Sequence, residues 1–446
     1  MPEVEKDRSW PSPRRAWFAA GMLAAANTLA FVDRQALALL VEPIKQDLQV
    51  SDTAMSLLYG LSFTMFYVLV GLPVARLADK ANRRNIVAAA VLIWSVATAL
   101  CGVARSFVTL FIARIGVGAG EGGLSPAAYS LLADYFPKER LPAAMAVYQM
   151  GIYIGGAMAL LLGGLLASVV PPSSVLVLPL LGAVKGWHLI FLALGAPGIV
   201  LALCMFLVRE PVRMSAPGTG AADDNTNTSP SLSELMAHMR RHWQAYFGIS
   251  AGFALMILVG NATGAWIPAF LERKFGLTTA QIGAQYGLIT ALCGVGGTLA
   301  GGFIAAALRR RGYERANLFT AMFGFTALIP VTISFPQAST ATLSLALIGV
   351  MNFLAGFNFG GGLAALQEIT PNRMRASVSA GYMLMVNLIG AAGGPLAIAA
   401  VTDFWYNDPA QLPNAITIVC AIASPLSVLA LLLGLRGYTG ILKSTG

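Results

Sequence analysis

Apolar residues run through this chain in long blocks, broken by Pro, Gly and charge at intervals that suit a lipid bilayer. Crossing the hydrocarbon core takes about 20 mostly apolar helical residues. On that measure the first half predicts spans near 17–41, 54–75, 86–104, 107–132, 143–168 and 187–208. Six more are predicted near 245–270, 279–304, 316–335, 341–367, 377–403 and 413–436. Residues 209–243 form the one long polar stretch between them. The expected organisation is therefore an N-terminal six-helix bundle over 1–208, a cytoplasmic linker over 209–243 and a C-terminal six-helix bundle over 244–446. Within the linker, Ser231 and Glu234 have capping-box spacing, and Leu232, Leu235, Met236 and Met239 share a helical face. That segment is expected to lie as a short amphipathic helix on the membrane surface.

Composition agrees with the blocks. Of 446 residues, 57% are apolar and only 11% charged, too little charge to cover a soluble surface, where about a quarter is usual. The net charge of +9 is spread in small clusters at helix ends rather than over one basic face, which argues against nucleic acid. With the N-terminus inside, 22 Lys and Arg fall in cytoplasmic segments and five on the other side, namely Lys45, Arg105, Lys185, Arg273 and Lys274. This bias places both termini and the linker in the cytoplasm. The short loops and Ala/Gly-rich composition point to a bacterial inner membrane. Lys6, Arg8, Arg14 and Arg15 look like the start of a secretory leader, but the following apolar run carries Asp33 and Arg34 and continues as a helix, so no cleaved leader is expected. The cysteines Cys101, Cys204, Cys293 and Cys420 are far apart within apolar runs, and they read as packing residues rather than disulfides or metal ligands.

Two of the remaining cations, Arg34 and Arg114, lie inside spans. Asp33 and Arg34 fall about halfway along the first run; Arg114 and Glu121 lie two helical turns apart on one face of the fourth. A charge at mid-membrane costs about 2.5–3.5 kcal/mol on insertion scales. Two structural ion pairs would account for them. So would a site, because all four charges sit in two helices of one half without counterparts in the other. Burial favours the protonated form of a carboxylate and a nearby guanidinium favours the ionised form, so a small movement of an arginine changes proton affinity. Asp33 and Glu121 are therefore the candidate proton carriers, and Arg34 and Arg114 their charge partners or the seat of an anionic substrate group.

A repeat crosses the linker. Asp134-Tyr-Phe-Pro137 ends the fourth span and Glu368-Ile-Thr-Pro371 ends the tenth, 234 residues later, which makes Asp134 and Glu368 equivalent. The fold class expected is all-α: twelve transmembrane helices in two pseudo-symmetric six-helix bundles, with a substrate cavity between the repeats. The loop after the second span, Ala75-Arg-Leu-Ala-Asp79-Lys80-Ala-Asn82-Arg83-Arg84, resembles the G-x-x-x-D-[RK]-x-G-[RK]-[RK] signature of the major facilitator superfamily. Ala75 and Asn82 stand in its two glycine places. The resemblance implies that the loop latches a cytoplasmic gate, giving Asp79, Lys80, Arg83, Arg84, Asp134 and Glu368 as gate candidates. The equivalent second-half loop, Arg309-Arg310-Arg311-Gly312, has lost the acid. Asp33-Arg34, Arg114 and Gly118-Ala-Gly-Glu121 are similar to the spinster branch of that superfamily, which implies lysophospholipid or sphingoid substrates. Short DR and GEG pieces also recur among organic-anion carriers.

Mid-span polar and aromatic residues supply cavity candidates: Tyr59, Tyr148, Gln149, Tyr153, Asn261, Trp266, Asn352, Asn358, Tyr382 and Asn387. The expected function is a proton-coupled carrier of an amphiphilic lipid working by alternating access, with a small organic anion or drug-like efflux substrate as the alternative and a channel as the rival from another class. A channel would favour a repeated pore ring, whereas the charges here are confined to one half. No phosphate-binding G-x-x-x-x-G-K-[ST] loop is present, so ATP drive within this chain is not expected. Gly123-Leu-Ser125-Pro-Ala127 nearly matches a nucleophile turn, but His188, His238 and His242 lie outside the predicted span cores. No enzymatic activity, cofactor or metal is expected. The partners expected are a small-molecule or lipid substrate, protons and membrane lipids, and the chain is expected to act as a monomer.

Overall fold

The computed structural model describes residues 10–137, 140–178, 182–213, 232–311, 316–356, 361–371 and 374–445. Eleven of its helices are long and apolar enough to cross a membrane. They are Pro13–Leu39, Asp52–Ala78, Arg83–Cys101, Phe107–Tyr135, Ala143–Val169 and Gly186–Leu207, then Trp243–Phe275, Thr279–Ile304, Leu318–Gln337, Ser377–Tyr406 and Pro409–Ile441. These are the first to ninth, eleventh and twelfth spans. The tenth is a 16-residue helix, Ala341–Gly356, followed after residues outside the description by Gly361–Ile369. The expected amphipathic segment is helical over Leu232–Arg241; Ser231, its capping residue, and the linker sequence before it lie outside the described residues.

Contacts divide the chain into two units. One holds Met1–Gln49 and Ser62–Ala222; the other holds Val50–Leu61 and Asp223–Gly446. In the first, the first span packs along the fifth, and the third packs along the fourth and sixth. Its core includes Leu23, Trp94, Trp187 and Phe191, all wholly buried. Small residues set the closest approach of its helices: a Cβ on Gly120 would lie 2.7 Å from the Trp94 amide nitrogen, and one on Gly122 would lie 2.6 Å from the Tyr67 carbonyl. Such contact lets backbones approach where lipid supplies no hydrophobic drive between helices.

In the second unit the seventh span packs along the twelfth and also meets the eleventh. Phe253 and Phe325 meet edge-on in its core with ring centres 5.1 Å apart. The segment Val50–Leu61 belongs to this unit although it begins the second span. Asp52, with its side chain fully buried, accepts from Nη1 and Nη2 of Arg273, each at 2.7 Å. Beside it the Thr53 amide donates to Asp403 at 2.7 Å and Ser56 Oγ to the Pro395 carbonyl at 2.9 Å.

Several local features depart from uninterrupted apolar helices. The fourth span is two helices, Phe107–Glu121 and Leu124–Tyr135, broken at Gly122-Gly123. Wider π-helical turns interrupt the second span at Leu57–Leu61, the eighth at Thr290–Gly294 and the eleventh at Val386–Ala392. Between the fifth and sixth spans Val175–Leu178 pairs antiparallel with Gly182–Lys185.

Candidate functional site

The first and fourth spans bring the four intramembrane charges of the N-terminal unit together. Arg34 Nε donates to Glu121 Oε2 at 2.6 Å. The Glu121 side chain is fully buried, while that of Arg34 keeps 27% of its surface exposed. Glu121 is the last residue before the Gly122-Gly123 break, so its position is fixed by the close approach of these glycines to the second and third spans. Three rings surround the Arg34 guanidinium, with Phe63, Phe31 and Tyr67 at 4.4, 4.7 and 5.1 Å from ring centre to charge. Cation–π contacts contribute about 0.5–1 kcal/mol at exposed sites and about 2 kcal/mol when desolvated, and this part-exposed guanidinium lies between the two. Arg34 thus has an acid on its buried side and aromatic faces around it, with part of its surface open.

Asp33 and Arg114 are also buried, at 3% and 1% exposure. Arg114 Nη1 donates to the Asp33 backbone carbonyl at 3.4 Å rather than to its carboxylate. Among the described residues, Asp33 Oδ1, Arg114 Nε and Glu121 Oε1 have no hydrogen-bond partner, and neither do Trp94 Nε1 and Ser95 Oγ on the third span, where the Thr98 side chain adjoins Asp33. These groups make the cluster the polar centre of an otherwise apolar bundle. Phe63, Tyr67, Trp94 and Thr98 were not singled out by the sequence. The visible signal was the four-residue spacing of Trp94 and Thr98, one helical turn within an otherwise apolar run.

The gate candidates form a second cluster. Arg83 is 1% exposed and pairs with Asp134, with Glu210 at 2.7 Å and with the Ser130 carbonyl and hydroxyl at 3.1 and 3.0 Å. Asn82 caps the third span by accepting from the Asn85 amide, and the Arg84 amide donates to Glu210 at 3.0 Å. Asn82 therefore stands in a glycine position of the motif as a helix cap, with a φ of −71°. Glu210 is a partner the sequence did not reveal. Lys80 is exposed, and the Asp79 side chain lies outside the described residues. Glu368 belongs to the C-terminal unit, where it accepts from the Tyr438 hydroxyl at 2.6 Å.

The cavity candidates divide by burial. Tyr148 is wholly buried, with its hydroxyl 3.1 Å from Ser125 Oγ, and Trp266 is 2% exposed and donates to the Pro395 carbonyl at 3.0 Å. Both are packed within the protein rather than along an open wall. Tyr382 is also buried. Tyr59, Gln149, Tyr153, Asn261, Asn352 and Asn387 are half-buried. Asn261 and Asn387 donate to carbonyls one turn back on their own helices, at 3.0 and 2.8 Å, and Asn352 reaches Thr290 at 3.4 Å. Asn358 lies outside the described residues.

Relatives place this architecture. An efflux pump of the major facilitator type from Mycolicibacterium smegmatis is 31% identical over 396 residues, 89% of this chain and 86% of the relative. A probable L-galactonate transporter of Escherichia coli is 24% identical over 418 residues, 92% of this chain and 87% of that one. Among solved structures, a bacterial homologue of the human lysosomal transporter Spinster, inward-facing and unoccupied, superposes with a TM-score of 0.77 at 26% identity, covering 97% of this chain and 98% of the other. Such proteins move small molecules across membranes and are not enzymes. With the Major Facilitator Superfamily profile matching residues 23–395, the chain belongs to that superfamily as an integral membrane transporter, and within it resembles the spinster branch.

Proposed function

We propose that this transporter couples protons to the movement of an amphiphilic lipid of the lysophospholipid or sphingoid type by alternating access. The observation that carries the proposal is the Arg34–Glu121 pair, in which a fully buried carboxylate is tied at 2.6 Å to a guanidinium that stays part-exposed. An anionic headgroup reaching the open side of Arg34 competes with Glu121 for the same charge. A buried carboxylate that loses its counter-ion takes up a proton. Binding an anion at Arg34 and a proton at Glu121 therefore favour one another, the linkage a coupled carrier needs. Asp33, with an unpartnered oxygen, is the second proton carrier, and Arg114 holds its segment through the backbone carbonyl. The rings of Phe31, Phe63 and Tyr67 suit an apolar body adjoining the charged end. The protein acts as a monomer in a bacterial inner membrane, with both termini cytoplasmic.

A small organic anion is the second reading, favoured by the likeness to the probable L-galactonate transporter; it uses the same arginines without the aromatic faces. Purified protein in liposomes, given an imposed pH gradient and a panel of lysolipids, sphingoid compounds and sugar acids, separates the two. Accumulation of a lysolipid or sphingoid compound that follows the gradient is expected. Uptake of sugar acids alone would select the second reading, and uptake indifferent to the gradient would end the proton-coupled one.

A further inference from the structure

The C-terminal unit carries a basic pocket that the transport site does not use. A cavity of about 430 Å³ is bounded by Arg241, His242, Trp243, Gln244, Arg436 and Gly437, among others. It lies where the amphipathic helix Leu232–Arg241 ends, the seventh span begins and the twelfth span finishes.

Its chemistry is that of an anion site. Among the described residues that bound it, none is acidic. Arg241 and Arg436 are exposed and make no ion pair among the described residues. Trp243 and Gln244 are the first residues of a 33-residue helix whose cap, His242, makes no side-chain bond to it, so the positive end of that helix lies at the cavity. A Cβ on Gly437 would lie 2.5 Å from the Ala245 amide nitrogen and 3.0 Å from the Gln244 carbonyl carbon. The twelfth span thus meets the first turn of the seventh backbone to backbone, which fixes Arg436 beside the start of that helix. Burial, and then the Arg241 charge, hold His242 below its usual range, which leaves it a neutral hydrogen-bonding group.

A soluble anion would need nothing more, but the surroundings are those of a lipid. Trp243 and Phe247 are 51% and 54% exposed, with ring centres 6.5 Å apart. Met236 on the amphipathic helix is 59% exposed. Aromatic residues in this position sit at the headgroup level of a bilayer, and basic clusters beside them attract anionic lipid. We infer that this pocket binds the phosphate headgroup of an anionic glycerophospholipid between Arg241 and Arg436, with the acyl chains along Trp243 and Phe247.

The test uses the full-length protein in mild detergent and native mass spectrometry, with phosphatidylglycerol, phosphatidylcholine and inorganic phosphate as probes. R241Q/R436Q removes both charges at exposed positions, and R76Q/R105Q removes two exposed arginines of the other unit as a matched control. Phosphatidylglycerol retention is expected to weaken about tenfold or more in R241Q/R436Q, to remain unchanged in R76Q/R105Q, and to withstand millimolar inorganic phosphate, with phosphatidylcholine indifferent to all variants. Equal retention by R241Q/R436Q and the unmodified chain would overturn the inference. Displacement of phosphatidylglycerol by inorganic phosphate at similar concentration would overturn it too, by making the ligand a free anion. Neither result depends on which substrate the transporter carries.

Discussion

The arginines of the N-terminal unit separate by burial more sharply than their common charge suggests. Arg83 is 1% exposed and holds two carboxylates, whereas its neighbour Arg84 contacts Asn85 and the Phe206 ring at the surface. Arg83→Ala removes the buried cation that Asp134 and Glu210 share. A loss of about 3–5 kcal/mol is expected if the site stays dry, and because both acids are partly exposed the lower end applies. Arg84→Ala should cost no more than about 0.5 kcal/mol. Thermal unfolding in detergent compares them directly, and equal losses would contradict the buried-cluster account. A second residue-scale test concerns Asp47. Partial burial pushes its carboxyl up, but hydrogen bonds from Lys185 and Trp187, aided by the Lys185 charge, outweigh this and hold it below its usual range. Both bonds are 2.8 Å long. A carboxyl depressed in the folded state contributes stability that is present above its unfolded value and lost as pH falls through its folded one. Being a partly exposed pair, it is worth about 1 kcal/mol at most. Asp47→Asn should remove that amount near neutral pH and flatten the acid limb of the stability profile below the ordinary carboxylate range.

At the scale of the element, glycine contact positions the ionisable cluster. A side chain at Gly120 would collide with the backbone of Trp94. Gly120→Val should therefore cost about 1–3 kcal/mol through overpacking and, by shifting the fourth span, loosen the Arg34–Glu121 pair. Gly156→Ala meets nothing within 4 Å and should be silent; unfolding temperatures of the two variants test the contrast. The spans themselves were legible because hydrocarbon forces apolar runs of fixed length. The break at Gly122-Gly123 and the turns at Leu57–Leu61 and Val386–Ala392 were not, because an apolar run says nothing about where the hydrogen-bond ladder slips. The pairing of Val175–Leu178 with Gly182–Lys185 was not legible either, because two four-residue runs between spans are too short to set a strand period apart from the apolar blocks beside them. The four charges were conspicuous in apolar surroundings, yet their partners were not. Arg114 and Glu121 share a helical face in sequence, but Glu121 bonds Arg34, 87 residues away. Phe63 and Tyr67 looked like any aromatic residues in an apolar span. Glu210 was hidden in a polar stretch where every acid looks solvated.

For the whole molecule, the proposed orientation with both termini cytoplasmic rests on the excess of Lys and Arg in alternate loops. A cysteine at Ala222 is expected to escape impermeant thiol reagents in intact cells, and one at Asn407 to react; the reverse pattern would invert the topology. The central claim is that Glu121 exchanges protons with the transport cycle, and Glu121→Gln in proteoliposomes tests it most directly, because glutamine mimics the protonated acid. A gradient of one pH unit can drive roughly tenfold accumulation per coupled proton. The account predicts a folded variant that still exchanges substrate across the membrane but no longer accumulates it in response to that gradient. Thermal stability measured on the same preparation shows whether the variant is intact. A stable Glu121→Gln protein that concentrates substrate with pH as the unmodified chain does would contradict the account.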